Sequence, residues 1–177
     1  MKGRKTWERG YAAGLIDGEG CIQIKKVMPR GKRNTEYSLA ININMTDIES
    51  LDFMFGVFGG KLYKNIQRIE NCLPVHRWEI TRDQAKKFLK QILTFLKVKK
   101  SQAELAIRFQ ELRKKEAREN GRYRPISQFK LDKYEQFYQE MRNLKTSNAG
   151  VTTKRVEPII ISQVPLSVSD SLVLQEV

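Results

Sequence analysis

Residues 11–24, YAAGLIDGEGCIQI, change period in the middle. Small and apolar residues run at helical spacing as far as Asp17. Two glycines then bracket Glu19, and from Cys21 the chain alternates like a half-buried strand, with Ile22 and Ile24 on one side and Cys21, Gln23 and Lys25 on the other. A carboxylate at the carboxyl end of a helix is unfavourable, because that end already carries partial negative charge. Two acids at such a junction call for a cation.

The rest of the chain supplies the setting. Its 177 residues carry a net charge of +13 and a pI near 9.8. All 33 lysines and arginines lie at or before Arg155, whereas Glu157, Asp170 and Glu176 follow it, so residues 1–155 carry +16 and the last 22 carry −3. A polyanionic partner is the first expectation, with nucleic acid ahead of a membrane surface. Cys21, Cys72 and His76 are the only cysteines and histidine, too few for a structural zinc site. The polar start MKGRKTWERG and the lack of any long apolar run lead us to expect an intracellular, non-secreted protein with no membrane span.

Working outward, residues 5–17 read as a helix and 21–27 as a strand. YSLAININM, residues 37–45, alternates almost perfectly. Residues 46–60 read as a helix with a capping box of Thr46 and Glu49 and an apolar stripe of Leu51, Met54, Phe55 and Phe58. Strands at 61–67 and 75–81 follow. Helices are expected over 82–96, over 101–120 with Ser101 and Glu104 as a second capping box, and over 127–145, whose apolar stripe starts at Phe129. Helix, two strands, helix, two strands and further helices define an α+β fold with antiparallel pairs. Residues 1–146 form one domain, and 147–177 a tail, partly ordered or packed on a partner.

In this reading helices cover one sheet face and leave the other open. The open face would carry Gln23, Lys25, Ser38, Asn42, Asn44, Lys61, Tyr63, Asn65, Gln67, Arg77 and Glu79. Amides read adenine and guanidinium reads guanine in the major groove, so this composition suits base contact; an ordinary solvated sheet face is the plainer alternative. Arg30, Lys32 and Arg33 in the hairpin loop suit phosphates. A strand of about ten residues rises roughly 33 Å and spans about ten base pairs, one half-site.

On the first helix, Gly10, Ala13, Gly14 and Asp17 fall three or four apart and make a narrow face of small residues. It serves either packing within one subunit or the close approach of a second copy. In the second case two copies of Glu19 meet, and divalent cations with bound phosphate make their closeness tolerable. Paired metals of this kind activate water and stabilise the leaving oxygen in phosphodiester cleavage.

AAGLIDGEG, residues 12–20, closely resembles the LAGLIDADG motif of homing endonucleases, and the order of elements over residues 5–145 resembles that family's αββαββα core with extra C-terminal helices. FLKVKKSQAELA, residues 95–106, is similar to a family segment bearing an active-site lysine. The resemblance implies a saddle-shaped DNA-binding sheet, Glu19 as metal ligand, the Gly18 carbonyl beside the metal, a chiefly structural Asp17, and Lys99 polarising water or phosphate. For Lys99, one more cation in a basic turn is the alternative. Family members often carry glutamine where this chain has Met45, which leaves Asn44 or solvent to position water.

A single motif further implies a homodimer on a nearly palindromic double-stranded target of about 20 base pairs, cut on both strands with short 3′ overhangs in the service of intron mobility. Two or three Mg²⁺ per dimer are expected, with Mn²⁺ substituting and Ca²⁺ supporting binding with little cleavage. An RNA maturase acting on its own intron RNA, or an inactive DNA-binding protein on the same scaffold, remain alternatives.

Overall fold

A computed structural model describes the backbone of residues 2–28, 35–67, 72–120 and 127–152, and the side chains within those spans except 2–4, 67, 116–120 and 147–152. Along the chain run α1 (Lys2–Gly18), β1 (Gly20–Val27), β2 (Glu36–Met45), α2 (Ile48–Phe58), β3 (Lys61–Gln67), β4 (Val75–Thr81), α3 (Arg82–Ile92), α4 (Lys100–Asn120) and α5 (Gln128–Thr152). The strands form one antiparallel sheet in the order β1-β2-β4-β3.

Alternation decides the two faces. Ile22, Ile24, Tyr37, Leu39, Ile41, Ile43, Trp78 and Ile80 are all buried and belong to one core with the helices. Leu51 and Met54 of α2, Ala85, Phe88, Leu89 and Ile92 of α3, and Ala103, Ala106 and Phe109 of α4 complete it. Trp78 sits at its centre, edge-on to Phe88, and its indole N–H donates to the Gly59 carbonyl at 2.8 Å. That bond removes the one polar objection to burying a tryptophan completely. Gly60, at φ +105°, lets the chain pass so close that a Cβ there would lie 2.4 Å from Ile80 Cγ2.

Several local expectations give way. The N-cap of α2 is Asp47, whose carboxylate accepts the backbone N–H groups of Glu49 (3.1 Å) and Ser50 (3.3 Å), so Thr46 stands one residue outside the cap. α4 begins at Lys100, which places Ser101 inside the helix. Phe55 and Phe129 lie on exposed faces, at 46% and 67%. α3 stops at Ile92 and leaves a turn before α4. The backbone of α5 continues to Thr152, across the expected domain boundary at 146, while residues 153–177 lie outside the described residues.

α5 is tied to the sheet by Glu135. Its carboxylate accepts from Lys26 (2.7 Å), Tyr37 and Gln139 (2.7 Å). Those three donors hold the acid well below the usual carboxylate range, at about 2.

Candidate active site

The two glycines of the opening motif do opposite work. Gly20 starts β1 directly beneath the end of α1, where an added Cβ would meet the Ile16 Cα at 2.7 Å and the Ile16 carbonyl at 2.8 Å. Only glycine lets helix and strand approach so closely. Gly18 has nothing within 4 Å of such a Cβ. Between them Glu19 is exposed, with its N–H closing the last turn on Leu15 O at 2.8 Å. Among the described residues its carboxylate has no hydrogen-bond or ion-pair partner.

Asp17 is placed differently. Its carboxylate accepts the backbone N–H groups of Lys97 (2.7 Å), Val98 (3.2 Å) and Lys99 (2.9 Å), the turn that leads into α4. Lys99 answers in the other direction. Its ammonium donates to the carbonyls of Ile16 (2.8 Å), Asp17 (2.9 Å) and Gly20 (2.7 Å), closing the carboxyl end of α1. An ammonium has three N–H donors, so all three are committed here. In this structure Lys99 clamps, through its ammonium, the end of the helix that leads into Glu19. Burial pushes its ammonium below the ordinary lysine range, against the upward pull of Asp17, Cys21 and Glu19.

The small residues of α1 do not share one environment. Ala13 is fully buried, and Asp17 is bonded to the 97–99 turn. The open line on α1 is Gly10, Gly14 and Gly18, none of which has an atom within 4 Å of an added Cβ.

Strand register orders the rest of the site. β1 and β2 pair from Gly20↔Ile43 onward, and Glu19 and Asn44 are the next residues along the two chains. Asn44 in turn pairs with Arg77, and Arg77 with Tyr63. A row therefore crosses the sheet from Asn44 through Arg77 to Tyr63, and Glu19 lies just before the start of β1. Next to it runs Cys21, Asn42, Glu79 and Lys61, while Gln23 lies opposite Ala40 and Lys25 opposite Ser38. By the alternation of a strand these polar side chains share the face that the helices leave open. Met45 packs against the core instead, which explains why an apolar residue is accepted there.

The open face is internally linked. Gln23 Nε2 donates to Asn42 Oδ1 at 3.1 Å, Arg77 Nε donates to Asn44 Oδ1 at 2.7 Å, and Lys25 pairs with Glu79. Alternation fails at one expected position. The β3–β4 register shifts between Tyr63 and Gln67, and Asn65 adopts φ +53° with its N–H on His76 Nδ1 at 3.2 Å. Asn65 is therefore an exposed bulge residue and not a regular outward position. Arg30, Lys32, Arg33 and the side chain of Gln67 lie outside the described residues.

Sequence reasoning missed Lys145. From α5 its Nζ reaches Cys21 Sγ at 3.2 Å, two residues beyond Glu19. No local pattern links positions 124 apart.

A divalent cation is implied by Glu19, and the donors present fit it in part. Among the described residues no group of three or more His, Cys, Asp and Glu side chains surrounds a common point. One exposed carboxylate and the neighbouring Gly18 carbonyl remain, a set that suits an ion retaining most of its ligands as water and phosphate oxygens.

No protein-family model matches the sequence, and no curated protein matches it. Solved structures do. The archaeal intron-encoded homing endonuclease I-Vdi141I complexed with DNA is similar over 78% of this chain and 84% of its own, with a TM-score of 0.61 and 16% identity. The homing endonuclease I-CvuI, in complex with its target in the presence of Ca, covers 82% of this chain and 97% of its own, with a TM-score of 0.54 and 14% identity. The LAGLIDADG homing endonuclease I-SmaMI bound to cleaved DNA matches 77% of this chain but only 44% of its own, with a TM-score of 0.59 and 12% identity. The chain has the LAGLIDADG homing endonuclease fold.

Proposed function

We propose that this protein is a site-specific DNA endonuclease that works as a homodimer and uses a divalent metal ion, Mg²⁺ by preference. The observation that carries the reading is Glu19: an exposed carboxylate without a partner among the described residues, at the lip of a polar open sheet face, in a strongly basic chain. An acid in that position is electrostatically out of place unless a cation joins it.

A single protomer offers one such acid. The open line Gly10, Gly14 and Gly18 permits two α1 helices to approach at the short end of the usual 8–10 Å range, which brings two Glu19 side chains together. The match to less than half of I-SmaMI supports the same view, since this chain corresponds to one portion of a longer protein with that fold. Each protomer's sheet would lie along one half of a duplex. Arg77, Gln23, Asn42, Lys25, Lys61 and Tyr63 face the bases, and exchange their mutual hydrogen bonds for base edges. Glu79 orients Lys25. Arg30, Lys32 and Arg33 are assigned to phosphates, where they set register.

Glu19 and the Gly18 carbonyl would hold the metal, which supplies Lewis acidity to the scissile phosphate and lowers the pKa of attacking water. Asn44 would position that water. The water oxygen forms a bond to phosphorus and gives its proton to solvent as the bond to O3′ breaks, and O3′ leaves with a proton from solvent.

The test is a selection. A randomised duplex library is bound in Ca²⁺, the recovered duplexes are moved to Mg²⁺, and both ends of any product are sequenced. We expect double-strand cuts with short 3′ overhangs at a nearly palindromic site of about 20 base pairs. Glu19→Gln should keep the same sites and lose cleavage. Cleavage by Glu19→Gln at the wild-type rate would refute the assignment, and tight binding of structured RNA without binding of duplex DNA, in a parallel assay, would favour a maturase.

A further inference from the structure

Lys99 donates its three N–H groups to carbonyls at the end of α1, which leaves a place in the proposed reaction for a second cation beside it. A phosphate undergoing attack gains negative charge on its non-bridging oxygens, and preorganised donors there are worth a large share of the rate. Another lysine reaches the start of β1. Lys145 Nζ lies 3.2 Å from Cys21 Sγ, and Cys21 is two residues along the chain from Glu19, about 7 Å at strand rise.

The setting of Lys145 differs from that of Lys99. Among the described residues its ammonium has one hydrogen-bond partner, a thiol, and sulfur accepts weakly. The Lys145 side chain is half-buried, so its stem is held while the head keeps donors free. The Lys99 ammonium is pulled upward by Asp17, Cys21 and Glu19 and downward by Lys145, so Lys145 lies within electrostatic range of Lys99. α5 also has a rigid hold on the sheet through Glu135, bonded to Lys26 and Tyr37 ten residues before Lys145. The position of Lys145 at the start of β1 is thus imposed by two contacts on one helix.

Resting on the endonuclease reading, we infer that Lys145 is a catalytic residue of this site, delivered by the last helix to donate to a non-bridging oxygen of the scissile phosphate beside Glu19. Cys21 parks the ammonium until the duplex arrives. A weak acceptor suits this task, since a carboxylate in its place would hold the cation back from phosphate.

The experiment compares wild type, Lys145→Met, Lys145→Arg and, as a distant surface control, Lys87→Met. Single-turnover cleavage is followed in Mg²⁺ at saturating protein, duplex affinity in Ca²⁺, and thermal stability without DNA. We expect Lys145→Met to cut about 100-fold more slowly, with affinity changed less than about threefold and an unaltered melting temperature. Lys145→Arg should recover part of the rate, and Lys87→Met should match wild type. Wild-type cleavage by Lys145→Met would overturn this inference alone. So would a loss of rate accompanied by an equal loss of affinity or a fall in melting temperature, since either marks a general phosphate contact or a packing role. A wild-type protein that cuts no duplex would overturn the endonuclease reading, and this inference with it.

Discussion

Asp17 and Lys99 exchange ends. The Asp17 carboxylate holds three backbone N–H groups of the 97–99 turn, while the Lys99 ammonium holds three carbonyls around the end of α1. One element begins where the other ends, and each side chain satisfies the unpaired backbone groups of its partner. The clasp fixes the backbone on which Glu19 stands.

Removing either side chain should therefore loosen the fold as well as the site. Asp17→Ala leaves three N–H groups without their charged acceptor and should destabilise the protein by about 2–4 kcal/mol; Asp17→Asn, which keeps one oxygen, by about half of that. Lys99→Met should show a loss of similar sign in urea denaturation. Stability within 0.5 kcal/mol of wild type (roughly the scatter for neutral surface changes) would contradict the clasp.

Two glycines six residues apart, Gly14 and Gly20, should respond in opposite ways. Gly20→Ala drives a Cβ into the backbone of Ile16 and should cost roughly 2 kcal/mol or more. Gly14→Ala meets open space in a helix and should leave the isolated protomer unchanged or more stable by up to about 1 kcal/mol. Gly14→Leu should keep the protomer folded while weakening its self-association, read by sedimentation.

Acid should act through Glu135. Its folded pKa, about 2, lies below the ordinary 4.5, so the unfolded chain binds more protons between those values. The stabilisation is present above pH 4.5 and is lost as pH falls toward 2. Because about a third of the side chain is exposed, solvent screening limits it to about 1 kcal/mol. Glu135→Gln should lower the urea midpoint at pH 7 and flatten its decline between pH 5 and 3. Parallel pH profiles for the two proteins would rule out this role.

Base reading can be separated from phosphate contact. Arg77→Ala should relax discrimination at one or two base pairs in each half-site by about 1–3 kcal/mol while other positions keep theirs. Lys32→Ala should weaken all duplexes alike and flatten the salt dependence. A uniform loss from Arg77→Ala would move Arg77 to the phosphate group.

Sheet and helix order were legible because alternation and helical spacing are local signals. The strand predicted at 37–45 is β2 to within one residue, and the strands at 61–67 and 75–81 match β3 and β4. What escaped is non-local. Ser101 reads as a cap for α4, yet the N–H groups before that helix are taken by Asp17, some 80 residues earlier. The spacing of Gly10, Ala13, Gly14 and Asp17 marks small residues without saying which side of α1 faces the core. Packing decides that Ala13 turns inward and Gly18 outward. Asn65 fits the alternation by count, but a bulge breaks the pairing there. Lys145 carries no local mark, because α5 brings it back to β1 only through tertiary packing.

The most direct measurement is the structure of the full chain on its selected duplex in Ca²⁺. Two protomers should straddle one duplex with their α1 helices touching along Gly10, Gly14 and Gly18. Each Glu19 carboxylate should lie about 2.3–2.6 Å from a bound cation. One protomer per duplex, or two with the Glu19 side chains apart and no cation on either, would contradict the account.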